Sequence, residues 1–139
     1  MRGLVLLAVA ATVVACGSES SAGSSAGTGD ATSLTVTYWP NGSQVGPKRT
    51  WSLRCQPAGG TLARPAAACR RLAAGGTELL AGVPKDVVCT QIYGGPQTGR
   101  VVGTLQGERV SAAFSRSDGC QIERWERVSP WLLPRGGVT

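Results

Sequence analysis

The chain has 139 residues with 14 Lys or Arg, 8 Asp or Glu and no His, which gives a formal net charge of +6. This length allows one ordinary domain with short additional segments. Without histidine there are no Ser-His or Cys-His pairs, and a Gly-rich phosphate loop with its lysine is also missing, so we expect a protein that is not an enzyme and needs no cofactor.

The N-terminus has the layout of a bacterial secretion signal. An arginine precedes an apolar run over residues 4–14, and small residues lead to Cys16. The run is too short to span a bilayer comfortably. VVAC, residues 13–16, resembles a lipobox, after which signal peptidase II cuts so that Cys16 becomes the lipid-bearing N-terminus. We therefore expect residues 1–15 to be a lipoprotein signal peptide and Cys16 to anchor the secreted protein to the outer face of the bacterial cytoplasmic membrane.

One substitution tests the lipid assignment. Because Cys16→Ala removes the side chain that would be acylated, we expect this variant to leave the membrane fraction while the natural chain stays. The alternative is an ordinary secretion signal whose cleavage site happens to lie near a cysteine. Membrane anchoring that survives Cys16→Ala would contradict the lipid assignment.

A flexible tether is expected between the anchor and the folded domain. Residues 17–33 contain hardly any large apolar side chain, so they cannot bury enough surface to offset the entropy of ordering. As a random coil this stretch spans roughly 20 to 25 Å. We assign residues 16–33 to the lipidated cysteine and tether, residues 34–134 to one domain, and residues 135–139 to a C-terminal tail.

The cysteine count agrees with a lipid anchor. Five is an odd number for an exported chain, but four cysteines remain if Cys16 carries a lipid: Cys55, Cys69, Cys89 and Cys120. An even set suits two disulfides in an oxidising compartment. The set contains no C-x-x-C pair and the chain has no histidine, so we expect no metal site of the usual zinc spacing.

Two strands are expected at the start of the domain. LTVTYW, residues 34–39, alternates threonine with branched or aromatic residues, and PNGS, residues 40–43, is a strong turn signal. TWSLRC, residues 50–55, alternates again, with Trp51 and Leu53 on one face. We expect this second strand to pair antiparallel to the first.

A short helix is expected next, over residues 63–76. Pro65 stands where a first helical turn accepts proline, and two glycines stand where a helix ends. Helical spacing places four residues on one face: Ala66, Cys69, Leu72 and Ala73.

KDVVCTQIY, residues 85–93, reads as a third extended segment, with Val87 and Val88 reaching the core. GGPQTG, residues 94–99, then interrupts it.

The last part of the domain predicts a hairpin and two further elements. Two alternating runs within residues 100–115 are joined around Gln106-Gly107. Residues 121–128 form either a short helix or an irregular connection, and Trp-Leu-Leu at 131–133 reads as a final strand. Together the elements predict an α+β domain with a single-layer antiparallel sheet of about five strands and one or two short helices on one face.

From residue 34 onward, thirteen Lys or Arg stand against six Asp or Glu, a net charge of +7. These charges are scattered singly or in pairs along the chain. We therefore expect a solvated face with a mild preference for negatively charged partners, and no nucleic acid partner for an exported protein.

The order of four motifs resembles a known family. CQPAGGTLARPAAAC, LAAGG, VVCTQIY and LQGERVSAAFSRSDGC follow one another as in the Streptomyces subtilisin inhibitor family, small secreted bacterial inhibitors of serine proteases. The similarity covers about residues 34–133. Its most specific parts are the order and spacing of the four cysteines, Tyr93 four residues after Cys89, and the Gln-Gly-x-Arg-Val turn at residues 106–110.

The resemblance implies the architecture of the domain. It implies disulfides joining Cys55 to Cys69 and Cys89 to Cys120, together with a five-stranded antiparallel sheet and two helices. It also implies a homodimer in many members, formed through the sheet.

The resemblance also implies a reactive site. In the family the scissile bond follows the second residue after the third cysteine. Carried onto this chain, Cys89 is P3, Thr90 is P2, Gln91 is P1, Ile92 is P1′ and Tyr93 is P2′. The implied partner is an extracellular serine protease, subtilisin-like or trypsin-like, whose cleft would receive the Gln91-Ile92 bond.

Two residues depart from the family pattern. P2 is often proline in the family and is Thr90 here, and P1 is typically Met, Lys, Arg or Leu and is Gln91 here. Three interpretations follow: weak inhibition of subtilisin-like enzymes, adaptation to a protease that accepts glutamine, or loss of inhibition. The first two make the chain a membrane-tethered protease inhibitor, and the third a non-inhibitory envelope lipoprotein that uses the same scaffold as a protein-binding module.

Overall fold

The structure is a computed structural model that describes residues 31–42 and 46–136. The expected signal peptide, Cys16 and the tether up to residue 30 lie outside the described residues, as do the last three residues of the C-terminal tail.

Five strands form one antiparallel sheet: β1 (Thr32–Trp39), β2 (Arg49–Cys55), β3 (Gly59–Gly60), β4 (Thr98–Leu105) and β5 (Glu108–Phe114). Their order across the sheet is β3-β2-β1-β4-β5, and every neighbouring pair is antiparallel. The structure confirms the predicted five-stranded sheet and the hairpin turn at Gln106-Gly107. Strand β1 starts at Thr32, two residues earlier than the alternation indicated.

The sheet buries one face because apolar residues occupy alternate positions of its strands. Leu34 and Val36 of β1 are aligned with Leu53 and Trp51 of β2, and Val36 is also aligned with Val101 of β4. All but Trp51, which is half-buried, have at most 2% of their surface exposed. The predicted pairing of Trp51 and Leu53 on the same face is therefore confirmed.

Two helices cover this face, α1 (Pro65–Gly75) and α2 (Gly119–Val128), with a short 3₁₀ turn at Gly76–Leu80. Helix α2 resolves the alternative left open for residues 121–128: Asp118 caps it by accepting a hydrogen bond from the Gln121 backbone at 2.9 Å.

The apolar face of α1 differs by one position from the predicted one. Ala68 and Leu72 are buried and Cys69 is half-buried, whereas Ala66 and Ala73 are exposed. Counting in steps of three and four from Pro65 gives the observed face. The many alanines of this segment left the phase of the helix poorly marked in the sequence.

The segment Trp131-Leu132-Leu133 is not a strand, which corrects the prediction. The backbone N–H groups of Leu132 and Leu133 donate to the Val128 carbonyl at the end of α2, at 2.9 and 3.2 Å. All three side chains are buried in the core. The apolar run thus predicted burial correctly, but it folds back onto the helix end and makes no ladder with the sheet.

The prediction of an extended segment reaching the core at residues 85–93 is also wrong. This part of the chain belongs to no strand, and Val87 and Val88 are 50% and 95% exposed. Both edges of β1 are already hydrogen-bonded, one to β2 and the other to β4, so residues 85–93 cannot pair with this strand. Cys89 is instead bonded to Cys120, outside the sheet.

Both implied disulfides are present. Cys55–Cys69 joins the end of β2 to α1, with Cα atoms 5.7 Å apart, and Cys89–Cys120 joins the exposed segment to the start of α2, with Cα atoms 5.3 Å apart. Among the helices within the described residues, none has the length and apolar character that a membrane span requires.

Candidate functional site

A long exposed segment precedes β4. We call residues 81–97, between the 3₁₀ turn and β4, the exposed loop. Four large hydrophobic side chains of the described chain lie mainly in solvent, and all belong to this loop: Val87, Val88, Ile92 and Tyr93, at 50%, 95%, 60% and 68% exposure. Apolar side chains gathered on an exposed segment mark an interaction site, because they gain free energy when a partner covers them.

Sheet topology places the loop beside the start of α2. The loop enters β4 at Thr98, which is aligned with Trp39 at the end of β1, and the next residue, Gly99, is aligned with Phe114 at the end of β5. The chain that leaves β5 therefore passes the loop before it starts α2 at Gly119. The connection from the end of β5 to the start of α2 supplies the groups that hold the loop.

The first anchor holds the loop at Cys89 and Thr90. The disulfide fixes Cys89, and the Thr90 carbonyl accepts a hydrogen bond from the Gly119 backbone at 2.9 Å. Glycine is required at position 119, since a Cβ there would overlap the Thr90 hydroxyl. Covalent and hydrogen-bonded contacts thus fix two consecutive residues of the loop.

The second anchor is Arg116, which holds Gly94. The Gly94 N–H donates to the Arg116 carbonyl at 2.7 Å, and the Arg116 Nε–H donates to the Gly94 carbonyl at 3.0 Å. The Arg116 side chain is 10% exposed, and its Nη1 donates to Glu126 Oε1 of α2 at 3.2 Å. A Cβ at Gly94 would approach Ile122 Cδ1 to 2.8 Å, so glycine permits this close approach.

Three residues span the gap between the anchors. Gln91, Ile92 and Tyr93 are exposed, and within the described part of the chain no hydrogen bond joins their backbone to another residue. The Gln91 side-chain amide makes one long contact, 3.5 Å, to the Cys89 carbonyl inside the loop. The backbone N–H and C=O groups of these three residues are therefore free to pair with an extended strand of another protein.

A third support lies where the loop begins. Arg124 of α2 is buried and donates from Nε to the Ala81 carbonyl at 2.8 Å and from Nη1 to the Ala113 carbonyl at 3.1 Å. Its guanidinium lies 4.8 Å from the centre of the Phe114 ring. Burial, together with the nearby Arg127 charge, lowers the pKa of Arg124, but an arginine remains charged at neutral pH.

One cluster within the described residues has the composition of a metal site: Cys89, Asp118 and Cys120. Its two sulfur atoms are bonded to each other, so neither is available as a thiolate ligand. The Asp118 carboxylate already accepts the capping hydrogen bond from Gln121. This arrangement is a disulfide beside a helix cap and gives a metal ion no suitable ligand set.

The structure places the five residues singled out by the resemblance, Cys89 to Tyr93, in one continuous stretch of the exposed loop, in which Cys89 is half-buried and the other four are exposed. Sequence reasoning did not identify the anchors Arg116, Gly119 and Glu126. Arg116 and Gly119 lie in the RSDG stretch just before Cys120. This position was the available signal for them, since a disulfide brings the neighbours of both cysteines together.

The profile of the subtilisin inhibitor-like family matches residues 28–117, well over half of the chain. Comparison with curated proteins gives no match. Among solved structures, the chain is similar to the crystal structure of Streptomyces caespitosus sermetstatin in complex with Bacillus licheniformis subtilisin. The identity is 28% over 68% of this chain and 89% of that chain, with a TM-score of 0.45. By its family profile, the chain belongs to the subtilisin inhibitor-like family.

Proposed function

We propose that this protein inhibits an extracellular serine protease by presenting residues 89–93 as a substrate-like strand, with Gln91-Ile92 as the scissile bond. The family is one of inhibitors, not of enzymes. One observation carries the assignment of the site: the Cys89–Thr90 and Gly94 anchors flank three exposed residues whose backbone is unpaired within the described chain.

The anchors reduce the entropy that binding costs. An extended strand must keep its shape in a protease cleft, and fixing a backbone residue costs about 1–2 kcal/mol. In this chain the disulfide, the Gly119–Thr90 hydrogen bond and the two Arg116–Gly94 hydrogen bonds fix the ends of the strand before it binds. More of the contact free energy then appears as affinity.

The same anchors oppose hydrolysis after the bond is cut. Attack on the Gln91 carbonyl would form an acyl-enzyme and release a new amine at Ile92. Arg116 would keep the amine side close through Gly94, and the disulfide would keep the acyl side close through Cys89. The amine is then present at high effective concentration, so religation competes with attack by water.

The side chains around the proposed bond favour a cleft with apolar subsites. Val88, Ile92 and Tyr93 are all more than half exposed, and none is charged. Gln91 offers neither an apolar side chain for the apolar S1 pocket of a subtilisin-like enzyme nor a charge for the acidic S1 pocket of a trypsin-like enzyme. We therefore propose a subtilisin-like target in preference to a trypsin-like one, with Gln91 as the weakest contact.

Titration of subtilisin with the purified domain, lacking the lipid, tests this proposal. We expect residual protease activity to fall in proportion to added inhibitor, and Gln91→Met to tighten binding by about tenfold because the new side chain buries apolar area in S1. Thr35→Ala, on the exposed face of the sheet, is the matched control and should bind like the natural chain. Rapid degradation of both the natural chain and the Gln91→Met variant, with no inhibition by either, would contradict the proposal.

Gln91 itself favours a second candidate function. An inhibitor needs a P1 side chain that fits the S1 pocket of its protease. A non-inhibitory binding module of the cell envelope that kept the same scaffold has no such need and could carry glutamine at this position. The same titration separates the two, since such a module would gain no inhibition from Gln91→Met. In either case we propose that Cys16 tethers the domain to the membrane, which the Cys16→Ala variant tests.

A further inference from the structure

A groove lies on the helix side of the sheet, between the first turns of α1 and the segment that follows α2. Its volume is about 450 Å³, within the range of sites that bind small organic molecules. Two of its walls are aromatic, formed by Trp51 of β2 and by Trp131 after the end of α2. We call it the arginine-rimmed groove, because its lining also includes three arginines: Arg64, Arg71 and Arg135.

Helix α1 leaves room for the groove because a small residue stands between two long ones. Arg64, Ala67 and Arg71 are separated by three and four positions, so they follow one face of α1 from its start. Over seven positions a helix rises about 10 Å, which is enough space for an aromatic ring between the two arginines. The single methyl group of Ala67 leaves this space open.

The two tryptophans of the groove are held in place by other residues. The Tyr38 ring lies 6.4 Å from the Trp51 ring, measured between their centres. The Trp131 indole N–H donates to the Arg127 carbonyl at 3.1 Å, and the Arg71 guanidinium lies 5.8 Å from the centre of the Trp131 ring. A ligand would therefore meet walls that are already formed, so its binding would order few further side chains.

The charge at the groove has one sign only. Its lining contains Arg64, Arg71 and Arg135 and no Asp or Glu. Within the described residues, the two ion pairs involve Arg116 and Arg127, so the three arginines of the groove have no acidic partner. All three are exposed, and a guanidinium group pairs well with a carboxylate. An apolar groove with this rim is complementary to an apolar molecule that carries a negative charge.

The chain's own C-terminal segment is a poor occupant of the groove. A Cβ at Gly136 would overlap the Arg116 guanidinium, which in turn holds Gly94 of the exposed loop. Neither Gly136 nor Arg116 belongs to the lining of the groove. The chain is thus directed away from the groove after Arg135, where the described residues end.

A second copy of the chain is also a poor occupant. Contact between two such grooves about a two-fold axis would bring one set of arginines against an identical set, and these charges would repel. A homodimer formed through the outer face of the sheet would leave the groove accessible, because the groove lies on the helix side.

We propose that the arginine-rimmed groove binds a small organic carboxylate with an aromatic body. The aromatic body contacts Trp51 and Trp131, and the carboxylate pairs with the arginines of the rim. None of the lining residues belongs to the exposed loop, so the proposal does not depend on protease inhibition.

Binding of 2-naphthylacetate to the purified domain, measured by titration calorimetry and by NMR of the indole N–H groups, tests the proposal. A ligand of this size with ordinary efficiency should have a dissociation constant of about 1 mM or lower. We expect the indole signals of Trp51 and Trp131 to shift with the same dissociation constant. Those of Trp39 and Trp125, which do not line the groove, should stay in place.

Variants and a neutral ligand separate the two parts of the site. Arg64→Gln/Arg71→Gln should weaken binding of the carboxylate about tenfold, while binding of the neutral 2-naphthylacetamide, already about tenfold weaker, should change little. The matched control Lys48→Gln/Arg70→Gln removes the same charge from exposed positions outside the groove and should bind both ligands like the natural chain. Ala67→Phe fills the groove and should abolish binding of both ligands.

Four outcomes would overturn the proposal. The natural chain could fail to bind 2-naphthylacetate at millimolar concentrations, or both charge variants could lose affinity equally, which would mean that only net charge matters. Binding that appears only in a chain ending at Gly136 would make residues 137–139 the occupant. A dimer in sedimentation that dissociates in Ala67→Phe would make a second copy the occupant.

Discussion

The double variant Cys89→Ser/Cys120→Ser is expected to become a substrate of the protease that the natural chain inhibits. Without the disulfide, residues next to the proposed bond must be ordered on binding, at about 1–2 kcal/mol each. For about three residues this corresponds to an affinity loss on the order of a thousandfold. Titration against subtilisin, followed by gel analysis of the chain, should show turnover of the variant where the natural chain persists.

Removal of the other disulfide provides the matched control. Cys89–Cys120 closes a separation of 31 residues and Cys55–Cys69 one of 14, which predicts stability losses of about 4 and 3 kcal/mol in the chain-entropy model. Both double variants should therefore melt at lower temperature. Only the first should lose inhibition below its melting transition, because Cys55 lies at the opposite end of the sheet from the exposed loop. Equal loss of inhibition in both would contradict a local role for Cys89–Cys120.

Arg116→Ala is expected to weaken inhibition by about 10- to 100-fold, since a hydrogen bond from a charged group contributes about 1.5–3 kcal/mol. The variant removes the Nε–H donor of the buried Arg116 side chain from the Gly94 carbonyl and leaves the backbone bond between these two residues. If Gln91-Ile92 is the reactive bond, religation should suffer more than binding, because Arg116 would hold the amine side of that bond through Gly94. The measurement is the rate at which bound inhibitor is hydrolysed, compared with the dissociation constant.

Arg127→Ala is the matched control for Arg116. Arg127 is a more exposed arginine of α2, and its ion pair with Glu123 is long, at 3.9 Å. Exposed pairs of this kind contribute at most about 1 kcal/mol to stability. Arg127→Ala should therefore inhibit and resist hydrolysis like the natural chain. If Arg116→Ala lowers the melting temperature but leaves the hydrolysis rate of bound inhibitor unchanged, Arg116 is a structural residue only.

The sheet could be predicted from the sequence because its signals are local. Strict alternation in β1 and β2, and the turn at Gln106-Gly107, each depend on a few consecutive residues, and all three are correct. The segment Trp131–Leu133 shows the limit of this reasoning. A short apolar run indicates burial, but whether it pairs with a strand or folds back on a helix is decided by the positions of other elements.

The site could be predicted only in part. The resemblance indicated Cys89 to Tyr93 as the candidate site, because it depends on cysteine spacing. It could not indicate Arg116, whose contact with the exposed loop depends on a side chain reaching across 22 positions to Gly94. Periodicity even suggested that Val87 and Val88 were buried. An apolar segment buried in the core and an apolar segment exposed to solvent have the same local sequence pattern. Only the tertiary fold distinguishes them.

The grouping of charges on the sheet was missed for a similar reason. Arg54, Arg100 and Arg109 are spread over 55 positions, and along the chain they read as isolated solvated charges. Strand register brings Arg54 and Arg109 into one row. A charge pattern in a sheet protein therefore becomes visible only when the pairing of strands is known.

The most direct test of the central claim is the identity of the bond that the protease cuts. The natural domain should be incubated with a catalytic amount of subtilisin, and the products analysed by mass spectrometry with and without reduction. We predict one cleavage, between Gln91 and Ile92, with the two fragments joined by Cys89–Cys120 until reduction and with intact chain remaining at equilibrium. Cleavage elsewhere in the exposed loop, or complete digestion, would contradict Gln91-Ile92 as the reactive bond.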